Sequence, residues 1–386
     1  MKNVPFLMKY YIQKIFFTFC FFLMAFKRRK NKEKWVFLFR TDHLGDLLAS
    51  ISVLRHFTAC YQQKGYRVAI VVDAPLQWVI EKSVPCDKVY PILVQKVQTD
   101  LRYRMNVLLD FYRYPIQTMI SLVSSPIALC FLEIFLFAKE SHRFIGDWSE
   151  VPFFFDFYKR RYDYTYRIMY NRSIHDQLEE VFQKITGQKS KYESPDFYQI
   201  FDEIGVPPPC TGKYYLVFPG AAAAFKCWGR EKFAELIAQI RNEFPEYTAV
   251  IMGSKADKEY EAQIMKALQG CTGNVLPRCG STDLKTLFSW CRSASFVVCN
   301  DSGGANLAGM YNILTFVLLH GGFFGFFMPN KYYSNHKYIC PRLPCYPCQN
   351  NCIYAGQTDE NQERECLKAI SVKDAFDVIK DNLNKI

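Results

Sequence analysis

Short apolar runs alternate with helix-spaced patterns along most of the chain. Trp35–Phe39 (WVFLF) and Val68–Val72 (VAIVV) are unbroken β-branched and aromatic runs that predict strands. Between them, Leu47–Phe57 repeats its apolar positions at helical spacing. The rhythm restarts cleanly after residue 212. Tyr214–Phe218, Thr248–Met252, Ser295–Cys299 and Leu314–Leu319 predict strands, and Glu231–Phe244, Lys258–Leu268, Asp283–Trp290 and Ala305–Tyr311 predict helices. Such alternation implies parallel α/β units. From about 90 to 200 the pattern breaks into aromatic-rich, basic stretches that fix no order of elements. Val206-Pro207-Pro208-Pro209, followed by Cys210-Thr211-Gly212, predicts a linker. Two doubly wound domains joined near residue 207 would face a cleft between the carboxyl ends of their sheets, where ligands are expected.

Two apolar stretches stand outside this rhythm. Ile15–Phe26 (IFFTFCFFLMAF) has Thr18 as its one polar member and is followed by KRRKNKEK. Twelve residues rise about 18 Å as a helix, short of the roughly 30 Å hydrocarbon core, and no small-residue cleavage site follows. A helix lying at an anionic membrane face fits best, with a protein-docking helix or a single short span as the alternatives. Ile116–Ala138 is interrupted by Ser121, Ser124, Ser125, Pro126 and Glu133, so it predicts a buried or membrane-facing hairpin inside a domain rather than a span.

Charge sharpens the picture. The 386 residues carry a net charge of +11, but residues 1–34 hold nine basic side chains and one acidic, so +8 of it sits beside the first apolar run. The rest of the chain has no phosphate-tracking surplus, which argues against a nucleic-acid partner. A chain that is 50% hydrophobic and 22% charged can bury a full core, which excludes disorder. Ten of the fifteen cysteines are scattered singly through apolar segments, as small hydrophobes in a reducing compartment, and this places the chain in the cytoplasm.

Three loops carry candidate chemistry. Arg40–Asp46 leaves the first strand and enters a helix. Gly45 lets backbone approach a ligand, and Asp46 is placed either to take a proton from a hydroxyl or to cap the helix. Phe218–Trp228 ends a strand in Pro219-Gly220 and opens into Ala221–Ala224 before Lys226. Small residues let backbone N–H groups crowd a phosphate, and Lys226 would offset the charge of a leaving diphosphate, the alternative being a solvated surface lysine. The P-loop spacing is absent. Asn300–Asn306 joins a strand to a helix through Asp301, Ser302, Gly303 and Gly304, an arrangement that binds phosphates at a helix start or simply makes a tight turn.

Together these segments resemble glycosyltransferase family 9, the bacterial lipopolysaccharide heptosyltransferases and their relatives. The pattern R-x-x-x-[IL]-G-D falls on Arg40–Asp46, h-P-G-[AS]…K-x-W on Phe218–Trp228, and [ND]-D-[ST]-G-x-x-H-[LI]-A on Asn300–Ala308, with Gly280–Leu284 and Gly253–Asp257 also similar. The chain departs at Asn306, where the family has His, and at Gly304, where Pro is common.

The resemblance implies a GT-B fold, with two Rossmann-like doubly wound domains facing a cleft. After a membrane-associating segment (1–34), an acceptor-binding domain spans 35–206 and a nucleotide-sugar-binding domain 207–370, and a last helix (371–386) packs back on the first domain. It implies an inverting transferase with Asp46 as base, Lys226 as the diphosphate lysine, Gly220, Ala221, Asp301, Ser302, Gly303 and Gly304 at the donor, Asp257 at the donor ribose, and Arg40 and Gly45 on the acceptor side. The partners would be a nucleotide-sugar donor, a lipid-linked glycan acceptor and the inner face of the cytoplasmic membrane, with no cofactor. An epimerase of sugar nucleotides and a membrane-tethered binding protein are the competing readings. Cys340, Cys345, Cys348 and Cys352 have spacings that suit a structural zinc, although prolines stiffen the loop and no second C-x2-C follows.

Overall fold

In a computed structural model the described residues are 33–123, 132–146, 159–202, 205–268, 273–349, 351–354 and 363–385, with Lys14, Ile15, Thr18, Phe19 and Phe22. β1 (Trp35–Arg40) is buried at all six positions. Trp35, Phe37 and Phe39 join one core layer while Val36 and Leu38 point to the other face, the period of two that a strand covered on both sides demands. β2 (Arg67–Asp73), β3 (Lys88–Ile92), β4 (Ile116–Ser121), β5 (Glu140–Ile145) and β6 (Tyr164–Arg167) complete a parallel sheet in the order β3-β2-β1-β4-β5-β6. A second parallel sheet contains β7 (Lys213–Phe218), β8 (Tyr247–Ile251), β9 (Val275–Pro277), β10 (Phe296–Asn300), β11 (Thr315–Leu318) and β12 (His336–Ile339), in the order β12-β11-β10-β7-β8-β9. Each sheet runs third, second, first, fourth, fifth, sixth strand. The strand order therefore reverses between β1 and β4 and again between β7 and β10, the points where open α/β sheets bind ligands at their carboxyl ends.

By contacts the chain divides into two units: Met1–His43, Ser50–Met169 and Gln177–Tyr192 form the first, and Leu44–Ala49, Tyr170–Asp176 and Glu193–Ile386 the second. The helix after β1 runs Leu44–Gln63, three residues ahead of the apolar periodicity, so Gly45 and Asp46 occupy its first turn and count with the second unit.

The stretch 90–200, illegible from pattern, holds β4, β5 and β6. Ile116–Ser121 is therefore a central strand of the first sheet and not part of a membrane-facing hairpin. Glu133, which breaks the apolar run, is buried against Arg143 of β5. Arg143 sits in register with Ser121 and donates to its Oγ (3.2 Å), and Ser121 Oγ and the Tyr162 hydroxyl donate to Glu133 (2.8 and 2.7 Å).

The closing helix, Val372–Leu383, belongs to the second unit. Val372, Ala375, Ile379 and Leu383 form one apolar stripe in the second unit's core with Trp228, Phe233, Ile237 and Ile240, each large side chain there contributing roughly 2–3 kcal/mol. No helix among the described residues is long and apolar enough to cross a membrane. Most of the basic, apolar segment 1–34 lies outside the described residues. Ile15, Phe19 and Phe22, which are described, are helical and 72%, 63% and 65% exposed at spacings of four and three.

Candidate active site

The loop after β7 is tied at both ends by one side chain. In register, Phe218 pairs with Cys299, so Pro219 and Asn300 leave their strands side by side. Asn300, fully buried, donates through Nδ2 to Pro219 O (2.7 Å) and accepts at Oδ1 from Trp228 N–H (3.0 Å). Trp228 is also held through its indole N–H to Ile370 O (3.0 Å) and at its carbonyl by the Tyr260 hydroxyl. Between these anchors Lys226 ends a short 3-10 turn, half-buried, with Nζ 4.3 Å from the centre of the Phe323 ring. A side chain on Gly220 would collide with the Asp257 carboxylate, so glycine is required there for the loop to close over that acid.

After β10 the chain turns into the helix Gly303–Met310, with Ser302 at its N-cap. An N-cap serine ordinarily accepts from a first-turn N–H. The Ser302 hydroxyl makes no such bond and has no hydrogen-bond partner among the described residues. Asp301 beside it is buried, and its Oδ2 has no hydrogen-bond partner among the described residues either. Burial holds the Asp301 carboxyl above its ordinary range; Lys226 draws it down and Asp46 pushes it up. Gly304 packs where a Cβ would stand 2.6 Å from the Phe218 ring, which accounts for glycine in place of the family's proline.

His320, beyond β11, reaches the same place. Its Nδ1 accepts from Gly322 N–H (3.2 Å), which puts the ring proton on Nε2, a buried atom with no hydrogen-bond partner among the described residues, 4.0 Å from Asp301 Oδ2. Burial, helped by Lys226 and Arg364, depresses the imidazole to about 3, so it is neutral at physiological pH. Sequence reasoning missed His320 because an imidazole after the run Leu314–Leu319 reads as a core residue.

Gly45 lies against the same helix start: a Cβ on it would come within 3.2 Å of both Gly303 Cα and Asn306 Nδ2. Asp46 is thereby near enough to Asp301 to perturb it. The N-cap of its helix is His43, without a side-chain cap bond, and Asp46 sits in the first turn rather than at the cap. Asn306, where the family has His, is buried; it donates to Ser302 O and accepts from the Tyr333 hydroxyl, both at 3.4 Å.

Three further candidates have these surroundings. Arg40 is 2% exposed, and its guanidinium binds Leu122 O at the end of β4 and Asp42 (3.2 Å), so it clamps the strand ends. Asp257 Oδ2 accepts from the Ser254 N–H and hydroxyl (both 2.7 Å) in a capping box, leaving Oδ1 toward Gly220. Cys340, Cys345, Cys348 and Cys352 are not gathered: no group of three or more His, Cys, Asp or Glu among the described residues is placed to hold a metal ion. Tyr346 occupies that loop, donating its hydroxyl to Cys340 Sγ (3.2 Å).

Two Rossmann-like units, each built on a six-stranded parallel sheet of the same strand order, form an α/β fold of the GT-B type. Residues 134–310 match the model of glycosyltransferase family 9 (heptosyltransferase), the family whose motifs the loops resemble. The fold is similar to that of Escherichia coli ADP-heptose lps heptosyltransferase II (15% identity over 91% of this chain and 99% of that one, TM-score 0.63). It is similar also to the family 9 glycosyl transferase from Veillonella parvula (16%, 92% and 98%, 0.64) and to E. coli heptosyltransferase WaaC with ADP-2-deoxy-2-fluoro heptose (17%, 90% and 99%, 0.60). No curated relative matches the sequence. The family match over residues 134–310 and the shared fold support a glycosyltransferase.

Proposed function

We propose that the enzyme moves heptose, or another sugar, with inversion from a nucleoside-diphosphate sugar to a hydroxyl of a lipid-linked surface glycan at the inner face of the cytoplasmic membrane. One observation carries this reading: at the carboxyl end of β10 Lys226 and Asp46 both act electrostatically on the buried Asp301, with Gly45 packed against Gly303. In the reaction Asp46 takes the acceptor hydroxyl proton and the oxygen attacks the anomeric carbon. The bond from that carbon to the diphosphate oxygen breaks, and its electron pair leaves on the nucleoside diphosphate. Lys226, the Ser302 hydroxyl and the N–H groups at Gly303 and Gly304 stabilise the departing charge. Asp257 meets the donor ribose through the oxygen its cap does not use. The likeness to an lps heptosyltransferase supports the surface-glycan acceptor, and the exposed Ile15, Phe19 and Phe22 within the +8 segment support membrane contact.

Asp46→Asn tests the base. The variant should keep its melting temperature and donor affinity and lose transfer by about 10²–10⁴-fold. Transfer at the parental rate would move the role to Asp42 or His43. Deleting residues 1–34 tests the membrane contact: the shortened protein should leave the membrane fraction with donor binding intact.

A further inference from the structure

Arg364 belongs to no motif, yet it is mounted beside Lys226. Its guanidinium carbon lies 4.1 Å from the centre of the Phe225 ring, the residue next to Lys226, while Lys226 Nζ lies over Phe323. The His320 ring meets both aromatic rings nearly edge-on, at 6.2 and 5.7 Å between centroids. One aromatic cluster therefore seats two cations, and neither has an ion-paired carboxylate among the described residues. Both oppose protonation of His320, which places their fields in the same spot.

The segment carrying Arg364 is fixed to the lysine loop by its neighbours. Glu363 accepts from Gly229 N–H (3.1 Å) and Lys232 (3.3 Å), and Ile370 O accepts from the Trp228 indole. Two like charges held close together repel each other unless an anion joins them. Seating them on aromatic faces limits the rotamer freedom that binding would otherwise have to remove. A monophosphate satisfies one such cation; two linked phosphates can engage both, and a planar guanidinium takes two phosphate oxygens at once.

We propose that Arg364 is a second cationic ligand of the donor site, holding with Lys226 the two phosphates of a nucleoside diphosphate. This rests on the reading of the chain as a nucleoside-diphosphate-sugar transferase. In that role Arg364 selects for a diphosphate link over a single phosphate and neutralises the leaving group as the sugar departs.

The test is calorimetric titration of the full chain with ADP, UDP and GDP and with the matching monophosphates. For the diphosphate that binds best, Arg364→Ala and Lys226→Ala should each weaken binding by about 10- to 100-fold, as for loss of a charge-assisted hydrogen bond. The matching monophosphate should change less than about threefold, against that same scale. Arg364→Lys should recover part of the loss. Arg364→Gln, which keeps the side chain's bulk, should behave like Arg364→Ala, and melting without nucleotide confirms that each variant is folded. Parental diphosphate affinity in both Arg364→Ala and Arg364→Gln, with affinity lost in Lys226→Ala, overturns the proposal and leaves the transferase reading intact. Equal weakening of diphosphate and monophosphate also overturns it. A parental protein that binds no diphosphate better than its monophosphate overturns both.

Discussion

At the strand-order reversal of the first sheet, charge is consumed internally. Arg40 at the end of β1 is bound to Leu122 O and Asp42, and beside it Glu133, Arg143, Ser121 and Tyr162 close a buried network. At the same point of the second sheet, reached by the same strand order, Asp301 Oδ2, Ser302 Oγ and His320 Nε2 have no hydrogen-bond partners among the described residues, and there Lys226 and Arg364 are seated on rings instead of carboxylates. Unsatisfied buried polar groups cost stability, roughly 1–3 kcal/mol each. The second unit keeps several at the place where ligands enter such sheets, whereas the first spends its charges on rigidity. Identical topology thus gives a stiffened edge in one unit and a chemically open one in the other.

The contrast can be broken by removing charge from either side. Glu133→Ala should be the most damaging change, about 3–5 kcal/mol, because it strands Arg143 in the core without its partner. A thermal melt with little loss would mean that the network is not rigidifying the first unit.

Acid should act mainly on the second unit. Burial holds His175 near 4, His320 near 3 and His336 near 4. A histidine depressed in the folded state takes up its proton on unfolding, so its contribution is intact above the ordinary value of about 6.5 and is lost as pH falls toward the folded value. Each should remove about 1.4 kcal/mol per pH unit across that window, or about 2 kcal/mol between pH 6.5 and 5. Asp301, shifted upward, works in the opposite sense. Melts at pH 7 and pH 5 check the net loss, and equal stability at the two values would contradict it.

The smallest effect on stability should come from Asp301→Asn. Replacing an unpartnered buried carboxylate by an amide should leave the melting temperature unchanged or raise it, a stability gain of about 1 kcal/mol or less, while donor affinity falls. A loss comparable to that of Glu133→Ala would show that the two edges are built alike.

Much of this was legible beforehand in the second half of the chain and little of it in the first. YYLVF, TAVIM and LTFVLL are apolar throughout because both sheet faces are covered, and turn chemistry marks where each ends. β5 reads ESHRFI because Arg143 finds Glu133 ten residues earlier and His142 stacks on Tyr164 of β6 at 4.8 Å, partners that no local pattern reveals. The site shows the same division. Asp46, Lys226 and Asp301 follow recognisable strand ends, while Arg364 lies in a charged stretch that reads as solvated surface, and its position depends on Phe225 far away in sequence. Arg40 was legible as a motif residue, but only its burial shows that it closes the strand ends.

Hydrogen exchange measured with and without the best-binding nucleoside diphosphate tests the central contrast most directly. Added protection is expected at residues 219–228 and 300–304, at the carboxyl ends of β7 and β10, and none at 40–43 or 121–123. Protection concentrated at the ends of β1 and β4, or absent from the β7 and β10 loops at saturating nucleotide, would contradict it.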